Sequence, residues 1–214
     1  FALNTWLLEK GYLVLKEGEE RELPKGSEGY HTVTLHSVDW EKTRAYGVGF
    51  NGLYLNLEGR EQDDPKTEED ESGIVEPAEV ADLLAELKRE LEAIIDVETG
   101  ERVVLTADLA TAVYQGERLA EAPDILVGYN SGYGNSDPAS LGRIPHNVLE
   151  DNLGGTFNGS HLMDPDVVSG TLLSNRPVLP GQHRLEDITA EILARYGIPP
   201  AAGMGGHRVL DTGP

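Results

Sequence analysis

The sequence predicts an α/β layer architecture in which a mixed, mostly parallel sheet is flanked by helices, and three observations carry that reading. Behind Pro77, the residues Val80, Leu83, Leu84, Leu87, Leu91, Ile94 and Ile95 recur at three- and four-residue spacing, the period of an amphipathic helix. The run Pro123-Asp124-Ile125-Leu126-Val127-Gly128-Tyr129 is short, apolar and bounded by turn residues, as a parallel strand covered on both faces would be. A second helical period runs from Leu185 to Gly197, with Asp187 as the expected N-cap, Ile188, Ile192 and Leu193 facing inward, and Pro199 beyond the end.

The other elements follow in order. Spaced apolar residues over Asn4 to Leu8 predict a helix that stops at Gly11, and the apolar run Tyr12 to Leu15 predicts a strand. Glu17 to Gly29 is polar and reads as a loop. Tyr46, Val48 and Phe50 alternate before Leu53, Tyr54, Leu55 and Leu57, a strand-like pattern. Gly100 closes the helical segment, Val103 to Leu105 reads as a strand, and Thr171-Leu172-Leu173-Ser174 as another. Asp211 to Pro214 reads as a frayed tail. With no repeat and no linker other than the acidic loop, residues 1–214 are expected to form a single domain.

The chain has 214 residues, enough to bury a core without staples, and no cysteine. That excludes disulfide frameworks, thiolate zinc sites, iron–sulfur clusters and cysteine nucleophiles. The net charge of −21 excludes coating by nucleic acid and docking on anionic membrane, because both need clustered Lys and Arg. It leaves a phosphate substrate open, since a bound divalent metal inverts the local field. No apolar stretch reaches the roughly 18 residues of a membrane helix, so a soluble chain is expected. Phe1 to Lys10 has neither the basic n-region nor the cleavage site of a leader, which favours a cytoplasmic setting. Much of the acidity lies between Glu58 and Glu92, and residues 61–73 read as a solvated, mobile acidic loop without the spacing of a calcium loop.

Gly47-Val48-Gly49-Phe50-Asn51-Gly52 matches the dinucleotide fingerprint letter for letter, but no helix follows it. Glycines of a bulge or hairpin fit the pattern better. Neither a G-x-S-x-G nor an H-E-x-x-H is present. Of the six histidines, His161 has the most suggestive setting, a glycine-bearing turn of the kind α/β proteins use for sites, with Asp164 as an outer-shell partner.

Taken in order, several segments resemble the type I phosphodiesterase and nucleotide pyrophosphatase branch of the alkaline phosphatase superfamily. Leu3-Asn4-Thr5-Trp6-Leu7 with Gly11-Tyr12-Leu13 is similar to the helix and strand that follow the family's Ser-Asp-His-Gly metal motif. Asp39-Trp40 with Thr43-Arg44-Ala45-Tyr46, then Asn51 to Asn56 and Gly59-Arg60-Glu61, resemble its next block. Ala122-Pro123-Asp124 with Val127-Gly128-Tyr129 resembles a core strand. Gly159-Ser160-His161-Leu162-Met163-Asp164-Pro165, followed by Gly170 and Ser174-Asn175-Arg176, is similar to the family's Gly-Asp-His segment, with Ser160 in place of the aspartate. Asp187-Ile188-Thr189 to Tyr196-Gly197-Ile198-Pro199, with Met204 and Gly206, resembles the closing helix and turn.

The resemblance implies the C-terminal part of an alkaline-phosphatase-like fold and a metal-dependent hydrolase of phosphate esters: a phosphodiesterase, nucleotide pyrophosphatase or phosphatase. It implies two divalent metal ions, zinc in kind, a phosphate-ester or nucleotide substrate, and His161 as this chain's one metal ligand. No catalytic residue is matched within the chain. The nucleophile and the other ligands are expected upstream of Phe1, so the chain alone is expected to be inactive. The alternatives are a non-catalytic binding module of the same fold, favoured by Ser160, or a sulfatase or phosphate mutase of the superfamily.

Overall fold

The computed structural model describes residues 1–20, 33–61, 72–152, 159 and 162–211. Two compact units, Phe1–Ser169 and Gly170–Pro214, make up the chain. Most of the expected acidic loop, residues 62–71, lies outside the described residues, as do His31, Ser160, His161 and the last three residues. Among the described residues no helix is long and apolar enough to cross a membrane.

In the first unit, α1 (Leu3–Lys10) ends as the sequence indicates, on Gly11 in the left-handed region (φ 79°). Strands β1 (Ala45–Val48) and β2 (Gly52–Leu55) form a hairpin whose turn holds Gly49 at φ 72°, so the glycine-rich fingerprint is a hairpin tip. Helix α2 (Val80–Glu92) follows, then β3 (Val104–Leu109), the single turn α3 (Ala110–Val113), β4 (Ile125–Tyr129) and the short α4 (Asp137–Ser140). Tyr12 to Leu15 and Thr171 to Ser174 form no strand; the first region contributes only an isolated bridge, Leu15 to Val38.

The sheet overturns the expected fold class, the C-terminal part of an alkaline-phosphatase-like fold with a mixed, mostly parallel sheet flanked by helices. It has four strands in the order β1-β2-β4-β3, and every neighbouring pair is antiparallel. Strands interleaved with amphipathic helices imply an α/β layer architecture with a mostly parallel sheet. Instead, β1 and β2 join through a tight turn, and the return through residues 110–124 brings β4 back alongside β3 in the opposite sense. The apolar run at β4 is fully covered on one face only. Ile125, Val127 and Tyr129 are buried, while Leu126 and Gly128 alternate with them on a half-covered face. Ala45, Leu53, Leu55, Val127 and Ala107 meet Leu83, Leu87 and Leu91 of α2 in one hydrophobic core with Leu7 and Leu13.

Few main-chain bonds join the two hairpins, because β2 and β4 pair over only Gly52–Leu126 and Leu53–Ile125. Asp124 reinforces this seam. Its main-chain N–H donates to Leu53 O (2.8 Å), its Oδ2 accepts from Leu55 N–H (2.6 Å), and the Arg60 guanidinium clasps both carboxylate oxygens at 3.0 and 2.8 Å. Arg60 Nη2 also donates to Leu55 O (2.5 Å), and the Arg60 side chain lies 5.8 Å from the Tyr54 ring centre.

Other polar residues of the family-like segments act in the same way. Asn4 exchanges two hydrogen bonds with the main chain of Gly47 (2.9 and 2.6 Å), where a Cβ would stand 2.8 Å from Leu3 Cδ2. Thr5 Oγ1 donates to Pro145 O (2.7 Å), and Asn56 Nδ2 donates to Trp40 O and Thr43 O (2.9 and 2.8 Å). All three side chains are buried, so each bond replaces water that cannot reach its partner.

In the second unit, α5 (Leu185–Arg195) departs in part from the expected orientation: Ile188 and Leu193 are half-buried, but Ile192 is 52% exposed and the most covered positions are the acids Asp187 and Glu191. Arg184, not Asp187, is the N-cap residue; Asp187 sits one turn in and accepts from Arg184 N–H (2.7 Å) and His207 N–H (2.6 Å). Glu191 binds Arg208 Nε (2.8 Å), Val209 N–H (3.1 Å) and Arg195 Nε (3.0 Å).

Two outcomes follow. Asp124→Ala leaves the Leu55 N–H unpaired at the seam and Arg60 with only Glu61 and Leu55 O, and is expected to lower the unfolding free energy by about 2 kcal/mol in a urea titration. The Arg208 hydrogen bond and the Val209 and Leu210 N–H groups hold the Glu191 carboxyl down to about 2 from an ordinary 4.5. Its folded value lies below its unfolded one, so its stabilisation is complete above about pH 4.5 and is lost as pH falls toward 2. Protection of the Val209 amide from hydrogen exchange should fall across that window, and Glu191→Gln should remove this acid-dependent loss.

Candidate functional site

The candidate site is built at the C-terminal end of β4, where two of the family-like segments meet. Tyr129, the last residue of β4, is 1% exposed, and burial pushes its phenol well above the ordinary range. The neutral hydroxyl donates to Phe50 O (2.9 Å) at the tip of the β1–β2 hairpin. A phenol so buried and committed is a strut rather than a proton carrier.

From one side, Met163 pairs with Tyr129 in a parallel bridge, and Asp164 N–H donates to Tyr129 O (3.0 Å). Asp164 is buried and spends its carboxylate on the fold. Oδ2 accepts from Thr106 Oγ1 on β3 (2.5 Å), and Oδ1 accepts from the Asp166 N–H (2.9 Å). Its carbonyl takes the Val167 N–H (3.0 Å), which closes the turn. The turn lies over Gly128, where a Cβ would overlap Asp164 Oδ2 and stand 2.6 Å from Thr106 Oγ1. Glycine is thus required there by close approach, although its φ is ordinary.

From the other side comes Phe1. Its ring lies 6.3 Å from the Tyr129 ring at a 57° tilt, and its carbonyl accepts from the Ser136 N–H (2.8 Å). The Ala2 N–H donates to Val148 O (2.8 Å), fixing the direction of the chain as it enters α1. Phe1 and Met163 therefore converge on one tyrosine.

His161, the ligand singled out by sequence, lies outside the described residues, together with Ser160. Its neighbour Asp164 is described and points to Thr106. Of the remaining histidines, His36 is exposed on a single helical turn, His146 is half-buried, His183 Nε2 lies 2.7 Å from Leu179 O, and the His207 N–H caps Asp187. Among the described residues, no group of three or more His, Asp or Glu is placed to hold a metal ion. Sequence reasoning missed the structural part played by Arg60, Asp124 and Tyr129, because their partners are distant in the chain. The glycine at 128, inside an otherwise apolar strand, was the signal that something approaches there.

Comparison with protein-family models, curated proteins and solved structures finds no match for this chain.

Gly128→Ala is expected to expel Asp164 from Thr106 and to cost about 2–4 kcal/mol by thermal or urea unfolding. The neighbouring Leu126→Ala, on the same half-covered face, should cost less.

Proposed function

We propose that this chain supplies the C-terminal portion of a metal-dependent hydrolase of phosphate esters, of the phosphodiesterase or nucleotide pyrophosphatase kind that its segments resemble. The observation that carries the reading is the convergence of Phe1 and Met163 on Tyr129. In the resemblance, a Ser-Asp-His-Gly metal motif precedes Phe1, and a ligand histidine stands two residues before Met163. Two residues of extended chain span at most about 7 Å. The motif and the histidine would thus be delivered to the same end of β4, although one belongs to the start of the chain and the other lies about 160 residues on.

Each described residue has a defined part in this arrangement. Tyr129 meets Phe1 through its ring and Met163 through its main chain. Asp164, held by Thr106 over Gly128, fixes the exit of the histidine segment. Asn4 holds α1, and with it the entry at Phe1, against β1. Of this chain's residues, His161 would hold a metal ion through a borderline imidazole nitrogen suited to zinc. When bound, a pair of such ions supplies Lewis-acid stabilisation to the attacking and leaving oxygens of a phosphoryl transfer. The excess of acid, −21 over the chain, is compatible with this reading because the ions, not the surface, set the sign of the field at the phosphate.

Hydrolysis of bis(p-nitrophenyl) phosphate and of p-nitrophenyl phosphate tests the reading. The 214-residue chain should show no turnover, since one imidazole is not a zinc site. Protein extended upstream of Phe1 should hydrolyse at least one of the esters with about two divalent ions bound, and His161→Ala should abolish turnover and lower the metal content. Turnover and metal content unchanged by His161→Ala would remove that residue from the site.

A further inference from the structure

The second unit carries its polarity inside out. Helix α5 turns two carboxylates inward and leaves an apolar stripe in water. Asp187 and Glu191, four residues apart, share one face and are almost wholly covered. On the opposite face Leu185, Ile192 and the C-cap residue Tyr196 follow one another at seven and four residues, two turns and one, and are 86%, 52% and 79% exposed. The helix cannot roll to hide this stripe. Rolling would strip Asp187 of the Arg184 and His207 N–H groups, and Glu191 of Arg208 and the Val209 N–H. Among the described residues of this unit, Val209 is the one hydrophobic side chain that is buried. Units of about 40 residues with so little core usually need a disulfide, a metal or association. The chain has no cysteine, and no group of three or more His, Asp or Glu among the described residues could hold a metal. The stripe offers the third means.

We propose that the stripe of Leu185, Ile192 and Tyr196 is a docking surface for a second copy of this chain, the α5 helices of the two copies packing face to face. Charge selects this occupant. The second unit balances four arginines against four acids, so the whole excess of −21 belongs to the first unit. Two copies repel one another through their first units, whereas the neutral second unit meets its like without that penalty. The charges nearest the stripe are already paired within one copy, Arg195 with Glu191 at 3.0 Å and Arg184 with Glu186 at 3.8 Å. A basic partner would be drawn instead to the acidic first unit. One patch meeting itself about a two-fold axis is the commonest arrangement of soluble oligomers. Eleven helical residues extend only about 16 Å, so the pairing sits at the small end of stable interfaces, and a dissociation constant of about 10–100 µM is expected.

Sedimentation equilibrium of the 214-residue chain tests the pairing. It should show a reversible equilibrium of monomer and dimer. Raising salt from about 0.1 M to about 1 M should tighten the dimer, because the screening length falls from about 10 Å to about 3 Å and the first units cease to repel. Leu185→Glu and Ile192→Glu should each raise the dissociation constant about tenfold or more. An acid in the first turn suits the helix dipole, so Leu185→Glu should leave the far-UV circular dichroism unchanged and the loss of pairing cannot be laid to a lost helix. Phe50→Ala, at the exposed tip of the β1–β2 hairpin, should leave the dimer as it is. A chain that stays monomeric at about 1 mM in high salt, a dimer that weakens as salt rises, or one that survives both stripe substitutions would overturn the assignment. Loss of the dimer with Phe50→Ala would place the contact on the hairpin and overturn it as well. Protein extended upstream of Phe1 should dimerise in the same way. If it stays monomeric while the 214-residue chain dimerises, the extension covers the stripe and a second copy is not its occupant.

Discussion

The clasp of Arg60 on Asp124 is the constraint on which the rest of the first unit depends. Two antiparallel hairpins, β1–β2 and β3–β4, meet along only two paired positions, too short a ladder to fix their register alone. Asp124 adds main-chain and carboxylate bonds to Leu53 and Leu55, and Arg60 neutralises it while bonding Leu55 O. A one-residue slip at this seam would turn Leu53 and Ile125 out of the core and carry Tyr129 away from Phe50. The end of β4, where Phe1 and Met163 arrive, is thus positioned by an ion pair several residues away.

This view changes what the polar residues of the family-like segments mean. Asn4, Thr5, Asn56, Arg60, Asp124 and Asp164 could each be read as candidates for chemistry. In the structure each bonds main chain or a structural partner, and four of the six side chains are almost wholly covered. Such buried bonds hold one arrangement against its alternatives, because breaking one leaves an unpaired group in a dry core. The segments then describe a scaffold that presents two chain arrivals to one tyrosine.

Much of this was legible in the sequence, and the limits have physical causes. The stop of α1 at Gly11, the period of α2, the hairpin at Gly47 to Gly52 and the strands at Val104 and Ile125 are local properties of spacing and backbone freedom. Strand direction is not local. It depends on where residues 110–124 return the chain, and a half-covered strand whose outer positions are Leu126 and Gly128 looks like a doubly covered one. The inward acids of α5 were likewise invisible, since Arg208 and the His207 N–H that pair with them lie 17 and 20 residues further along the chain. The residue assigned to metal, His161, falls outside the described residues, and Asp164 beside it turned out to belong to Thr106.

The central proposal is that a metal centre would form at the C-terminal end of β4, where Phe1 and Met163 both meet Tyr129. A crystal of protein extended upstream of Phe1, grown with zinc and measured at the zinc absorption edge, tests it most directly. The account predicts anomalous density beside Tyr129, with an imidazole nitrogen of His161 about 2.1 Å from the metal. Zinc bound elsewhere, or a His161 ring turned away from it, would contradict the account.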